Sequence, residues 1–259
     1  MRNWKEDLKK FTDFLESLDI ERYSYLRRIK TVEQDLPQEL LPLDLYYEYY
    51  WNTTKFKDFE EVFEIYWKEK FNPHIREFIK KYFYGCSLGF VEEGFKARLY
   101  RIWMSILTQF QFQYLWNTLF DEELESSAEL DKLGIDAVVT LNGKKVGMQI
   151  KKVSYRREAS SRRFTKRQQK YVDVIVEIPY IVIDVNELKD KLRNPRVRKE
   201  NKKRYEQILN LFGKNFNRLK NGFVIFNKDY LAHIHNIILL KTSKVKAKTK
   251  IEYNDILAI

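Results

Sequence analysis

The dipeptide Asn142-Gly143, set between two runs that alternate apolar and polar residues, constrains this chain more than any other feature. Both central positions of a two-residue type I′ turn need positive φ, which Asn and Gly tolerate, so the segment reads as a β-hairpin with a fixed register. With that turn Leu141 faces Lys144, Val139 faces Val146, Ala137 faces Met148, and Asp136 stands opposite Gln149. Cross-strand partners lie roughly 4.5–5.5 Å apart at Cβ, close enough for both side chains to reach one cation.

Alternation sorts the two faces of the hairpin. Ile135, Ala137, Val139, Leu141, Val146, Met148 and Ile150 point one way and form a core face, while Asp136, Thr140, Lys145, Gln149 and Lys151 point the other. Glu129 and Asp131 enter from the turn just before the first strand. A carboxylate and an amide carbonyl are the hard oxygen ligands that Mg²⁺ prefers, and a lysine beside a metal-activated water can stabilise developing charge or help deprotonate the nucleophile. Perfect alternation puts Lys151 on this face and turns Lys152 away, whereas a bulge near Gly147 would exchange them. The plainer reading is an ordinary polar, exposed hairpin face.

Helical spacing dominates the first part of the chain. Residues 4–17 and 56–82 place apolar residues at intervals of three and four, and Phe90 to Trp116 carries Phe95, Leu99, Ile102, Trp103, Ile106 and Phe110 along one side, after a stop at Gly85 and a candidate cap at Ser87. The two prolines between Thr31 and Pro42 make that stretch an ordered connection. Residues 171–185 read as strand, with Pro179 marking an edge, a bend or a break. Residues 187–220 read as basic helix interrupted at Asn194-Pro195, Gly222 to Phe226 as a short strand, and Ile237 to Ile251 as a further strand. The expected class is α/β (α+β), a mixed sheet flanked by helices. Residues 1–120 form a mainly helical part packed on a core sheet of residues 121–259, in one continuous unit.

The 259 residues carry a formal net charge of +11, which makes a polyanion the natural partner. A single cysteine, Cys86, excludes an intramolecular disulfide and a Cys-based zinc site and suits a reducing cytoplasm. No apolar run is long enough for a secretory signal or a membrane span. His233 and His235 would share a face of a strand, but with His74 as the only other histidine a zinc site is not expected.

Asp136, with Gln149-Ile-Lys151 on the paired strand, resembles the PD-(D/E)xK nuclease core, Gln standing where a second acid is usual. More specifically, the chain resembles the TaqI-type type II restriction endonucleases through Ile29-Lys-Thr-Val-Glu-Gln-Asp-Leu-Pro37, Lys96-Ala-Arg-Leu-Tyr-Arg101, and Asp131-Lys-Leu-Gly-Ile-Asp136 with Gln149-x-Lys-Lys152. The likeness runs from about residue 8 to at least residue 160. It implies a restriction-endonuclease-like fold and a Mg²⁺-dependent homodimer that cuts double-stranded DNA at a short palindrome, TCGA in the family's namesake, with a cognate DNA methyltransferase in the same system. It also makes Asp131 a metal-site residue beside Asp136 and Gln149. Because neutral Gln149 holds a cation less tightly than a carboxylate, a second acid such as Asp131 or Glu129 is needed. The catalytic set is then Asp131, Asp136, Gln149, Lys151 and Lys152.

Residues 151–170 hold nine Lys or Arg and one acid, and a second basic group follows at Lys189 to Arg204. Arg156, Arg157, Arg162, Arg163, Lys166, Arg167, Arg196 and Arg198 are the expected DNA contacts, since guanidinium groups bind phosphates and can read guanine edges. Glu92 and Glu93 could supply a further acid, but their position near a helix N-terminus accounts for them more simply. A repair or recombination nuclease that reads DNA structure, and a non-catalytic DNA-binding module, are the alternatives. Cleavage at discrete sequence positions separates the first, and metal-indifferent binding separates the second.

Overall fold

The computed structural model describes residues 2–152, 164–182 and 185–252. The chain divides into two compact units: Met1–Tyr114 with Leu219–Phe223, and Leu115–Arg218 with Val224–Ile259.

The first unit is helical with an aromatic core. Helix α1 (Trp4–Ser17) is capped by the Asn3 side chain, which accepts from the Glu6 amide, and it buries Phe11 and Leu15. Helix α2 (Leu43–Tyr47) precedes α3 (Phe59–Lys70), whose start is a reciprocal capping box of Asp58 and Glu61. Periodicity alone suggested one helix across 56–82. Pro73 cannot donate to the helical ladder, and a π-helical turn at Phe71–Ile75 separates α3 from α4 (Arg76–Tyr82).

Helix α5 (Leu88–Leu119) begins where Gly85 takes a φ of 82° and Ser87 Oγ accepts from the Phe90 amide. The expected single apolar side is too narrow a description. Phe95, Leu99 and Trp103 are buried, but so are Ala97, Tyr100, Leu107 and Phe112, so packing surrounds the middle of the helix.

Two of the sequence patterns meet on α5. A Cβ on Gly94 would lie 2.8 Å from Thr31 Cβ and from Val32 Cγ2, so the segment before Pro37 rests on that glycine. Arg101 donates to the Ile29 carbonyl at 2.6 Å and forms an ion pair with Glu33, while Lys96 pairs with Glu60 at 2.5 Å. These residues therefore hold the helical unit together.

The second unit contains helix α6 (Ala128–Lys132) and a four-stranded sheet. Strands β1 (Ala137–Leu141) and β2 (Lys144–Lys152) are antiparallel, β3 (Val174–Tyr180) runs parallel to β2, and β6 (Thr249–Ile251) runs parallel to β3. Between β3 and β6 come α7 (Val185–Arg193), α8 (Lys199–Asn215), the small hairpin β4 (Phe216–Arg218) and β5 (Val224–Phe226), and α9 (Lys228–Lys244). The mixed α/β class expected from the sequence is the one observed. Among the described residues no helix is long and apolar enough to cross a membrane.

The hairpin register is the expected one, Leu141 opposite Lys144 and Ala137 opposite Met148, with Asn142 and Gly143 at φ 50° and 72°. Its turn is tied down: Asn142 Nδ2 donates to Leu239 O at 3.0 Å and Thr242 Oγ1 at 3.2 Å, and Lys144 Nζ donates to Thr242 O at 2.6 Å and Val245 O at 2.7 Å. One of these acceptors, the Thr242 carbonyl, lies in the last turn of α9, where carbonyls have no helical partner of their own.

Two readings need correction. Residues 237–244 are helical, because Asn227 caps α9 and Tyr230, Leu231, Ile234, Ile237 and Ile238 bury one stripe; only Thr249–Ile251 is strand. Ile135 precedes β1 and departs from its alternation, packing with Val138, Val172 and Ile175 on the Gly147 side instead of with Ala137. Pro179 lies inside β3, paired with Lys151. Among the described residues β6 pairs with Val174–Val176 alone, so Pro179 stands on a locally open edge of β3, one of the settings expected for it, and its carbonyl accepts from the Tyr230 hydroxyl at 2.9 Å.

Candidate active site

The hairpin ladder continues one residue beyond β1, and this places Asp136. Its amide donates to Met148 O at 2.9 Å, its carbonyl accepts from Ser126 Oγ at 2.7 Å, and its Oδ2 accepts from the Ile150 amide at 2.5 Å. Three backbone-anchored bonds fix a carboxylate that is 8 % exposed. Burial, and then the charge of Asp131, push the Asp136 carboxyl well above the ordinary carboxylate range, against the Ile150 amide and Lys151, which favour its ionised form. Asp131 therefore lies within electrostatic reach of Asp136.

A tight turn brings Asp131 there. Ser127 caps α6, and Gly134, at φ 75°, donates to Asp131 O at 2.7 Å before Ile135 returns to bond Leu130 O at 2.9 Å. Glu129 lies on the same short helix and is exposed.

Gln149 is oriented by the same turn. Its Nε2 donates to Gly134 O at 2.5 Å, and Gln168 Nε2 joins at Leu133 O, 2.9 Å away. The Gln149 Oε1 is buried and has no hydrogen-bond partner among the described residues. Leaving such an oxygen unsatisfied costs about 1–3 kcal/mol, a cost that a cation bound there would remove. The groups that could hold a cation here are two carboxylates and one amide oxygen, all hard ligands of the kind Mg²⁺ prefers. No three His, Cys, Asp or Glu residues gather at one point among the described residues, so the amide would have to complete the set.

Pairing along β2 runs unbroken from Lys144 to Lys152, with no bulge at Gly147. Lys151 consequently shares the face of Gln149, half-buried, while Lys152 is exposed on the opposite side of the pleat. Thus Asp131, Asp136, Gln149 and Lys151 come together and Lys152 does not.

The sequence reading missed Glu177. It is fully buried in β3, in register with Gln149, and forms ion pairs with Lys151 and with Lys250 Nζ, the latter at 2.6 Å. The available signal was one acid inside the apolar run Val174-Ile-Val-Glu177-Ile, because a charge buried in a central strand needs partners.

The basic candidates divide. Lys166 and Arg167 are exposed in the turn between Phe164, which packs on the Ile135 and Val138 cluster, and Gln168, which reaches Leu133. They therefore flank the candidate site. Arg196 and Arg198 are exposed in the link between α7 and α8. Arg156, Arg157, Arg162 and Arg163 lie outside the described residues. Glu92 and Glu93 belong to the first unit, on the opening turns of α5. On helical α9, His233 and His235 cannot share a face as they would on a strand; His235 stacks on Phe120 at 4.1 Å and lies 3.5 Å from Glu122.

Comparison with known proteins identifies the family. The TaqI restriction endonuclease family matches residues 8–238. The chain is 44 % identical over 233 residues to the type II restriction enzyme TaqI of Thermus aquaticus, covering 88 % of this chain and 86 % of that protein. It is 43 % identical over 237 residues to the type II restriction enzyme TthHB8I of Thermus thermophilus, covering 89 % and 88 % respectively. No solved structure matches significantly. With the family's span covering most of its length, the chain belongs to the TaqI restriction endonuclease family and is a type II, site-specific deoxyribonuclease that binds duplex DNA.

Proposed function

We propose that the chain hydrolyses duplex DNA at TCGA with Mg²⁺ as cofactor, and that Asp131, Asp136 and Gln149 hold the ion. The observation that carries this is the buried Gln149 Oε1, unpartnered among the described residues, on the face it shares with Asp136 and Lys151, with Asp131 in electrostatic reach. When bound, Mg²⁺ would supply Lewis-acid stabilisation of charge on the scissile phosphate and favour ionisation of the attacking water.

The protein's own groups do the positioning. The Ile150 amide holds one oxygen of Asp136, and the Gly134 carbonyl fixes the amide of Gln149. Lys151 brings a positive charge to the phosphate undergoing attack and lies close enough to the acids to orient the nucleophilic water. Lys166 and Arg167 contact the DNA backbone beside the site, joined by Arg156, Arg157, Arg162 and Arg163, while Arg196 and Arg198 extend the basic surface. A palindromic target calls for two copies of the site related by a two-fold axis, so the working enzyme is a homodimer, paired in the cytoplasm with a methyltransferase that protects host sites.

The test is digestion of a plasmid of known sequence in Mg²⁺, with the ends mapped. Cutting at TCGA is expected, and Asp136→Ala should bind the duplex but leave it intact. No cleavage of a TCGA substrate by purified wild-type protein in Mg²⁺ would reject the specificity, and cutting by Asp136→Ala would reject the site.

A further inference from the structure

We infer that Glu177 is a positioning residue of the nuclease, holding the Lys151 ammonium on the Asp136 and Gln149 face while Lys250 of β6 anchors Glu177 in turn. The inference rests on the proposed role of Lys151.

The geometry comes from three adjacent strands. Gln149 pairs with Glu177 across the parallel β2 and β3 ladder, so both side chains leave the sheet on the same face, two residues from Lys151 on β2. Lys250 pairs with Ile175 across β3 and β6, which puts its side chain on that face too. Two ammonium groups converge on Glu177 Oε1, and the acid is 0 % exposed while the side chains of Lys151 and Lys250 are 22 % and 11 % exposed.

One lysine would suffice to balance one buried carboxylate. Lys250 already does so, from a residue outside the hairpin, and the second contact goes to the lysine of the candidate site. Lysine carries about 2 kcal/mol of side-chain rotamer entropy and many conformers reaching toward solvent. A carboxylate fixed in a central strand selects one of them before DNA arrives. Pre-positioning of this kind speeds the chemical step without adding to DNA affinity, and a displacement near 1 Å of a reacting group can cost about 100-fold in rate.

The test compares wild type, Lys151→Met, Glu177→Gln and the double variant in single-turnover cleavage of a TCGA duplex in Mg²⁺. Metal-free DNA affinity and melting temperature are measured alongside. Glu177→Gln should lower the cleavage rate by about 100-fold with DNA affinity within about threefold of wild type. Added to Lys151→Met, it should cost less than about twofold, because the group it positions is gone. Should Glu177→Gln fold poorly by stranding Lys250, then Glu177→Met with Lys250→Met replaces the buried pair by apolar residues of similar volume and should show the same rate loss. A folded Glu177 variant that cleaves at the wild-type rate, or one that loses the same factor with and without Lys151, overturns the inference. A Lys151→Met enzyme that cuts like wild type removes the role of Lys151 and this inference together. A slow Lys151→Met beside a fast Glu177→Gln removes only the role of Glu177.

Discussion

Replacing Gln149 by the acid usual at its position tests why this site uses an amide. Gln149→Glu keeps the shape and exchanges Nε2 for oxygen. The bond to Gly134 O at 2.5 Å becomes an approach of two oxygens, and a third acid joins Asp131 and Asp136. Losing this solvent-exposed hydrogen bond and setting its acceptor against another acceptor costs about 0.5–1.5 kcal/mol. For a protein of this size each kcal/mol lowers the melting temperature by about 2–4 °C, so the metal-free variant should melt about 1–6 °C below wild type. Mg²⁺ should reverse the order of sensitivity. Binding to the folded state stabilises it in proportion to RT ln(1 + [Mg²⁺]/Kd), and each tenfold tightening by the introduced carboxylate adds about 1.4 kcal/mol at saturating ion. Calorimetric melts across a Mg²⁺ titration should therefore start lower and climb more steeply for Gln149→Glu. An unchanged metal-free melting temperature would contradict the role assigned to the Gly134 bond. An identical Mg²⁺ response in both proteins would contradict residue 149 as a ligand.

Two further outcomes rest on features away from the ion. Gly94→Ala should destabilise: the helix gains about 1 kcal/mol in propensity, but a Cβ at 2.8 Å from Thr31 Cβ brings an overpacking cost of about 1–3 kcal/mol against an atom that cannot swing away. A raised melting temperature for that variant would show that the Thr31 segment yields freely. Burial pushes the Glu177 carboxyl up, but the hydrogen bonds and charges of Lys151 and Lys250 outweigh it and hold the group below the ordinary value of 4.5. The stability it contributes is then fully present above about pH 4.5 and is lost as pH falls through the depressed folded value. Acid unfolding followed by circular dichroism should thus be shallower for Glu177→Gln on that limb, and a curve parallel to wild type would refute the pairing.

What could be read from the sequence followed how local each determinant is. Asn142-Gly143 and the alternation beside it specify turn, register and faces within sixteen residues, so the opposition of Asp136 and Gln149 was legible. The run Ile237-Ile-Leu-Leu240 suits a strand or a buried helix equally, and the choice fell to the Asn227 cap and to where Tyr230, Leu231 and Ile234 pack. Ile135 escaped alternation because the positive φ of Gly134 turns the chain just before the ladder begins. Glu177 was hidden for a different reason. Its meaning depends on β3 lying beside β2 and β6, and parallel neighbours leave no short-range mark in the chain.

The anchored hairpin turn also bears on chemical ageing. An Asn followed by Gly is where a flexible chain most readily closes a succinimide, as the backbone nitrogen after the Asn attacks the side-chain amide and ammonia leaves. In the folded protein the Asn142 amide is held by Leu239 O and Thr242 Oγ1, turned toward α9. Deamidation there requires those bonds to open, so the same contacts that tie down the hairpin turn also guard the covalent integrity of the dipeptide that encodes its register.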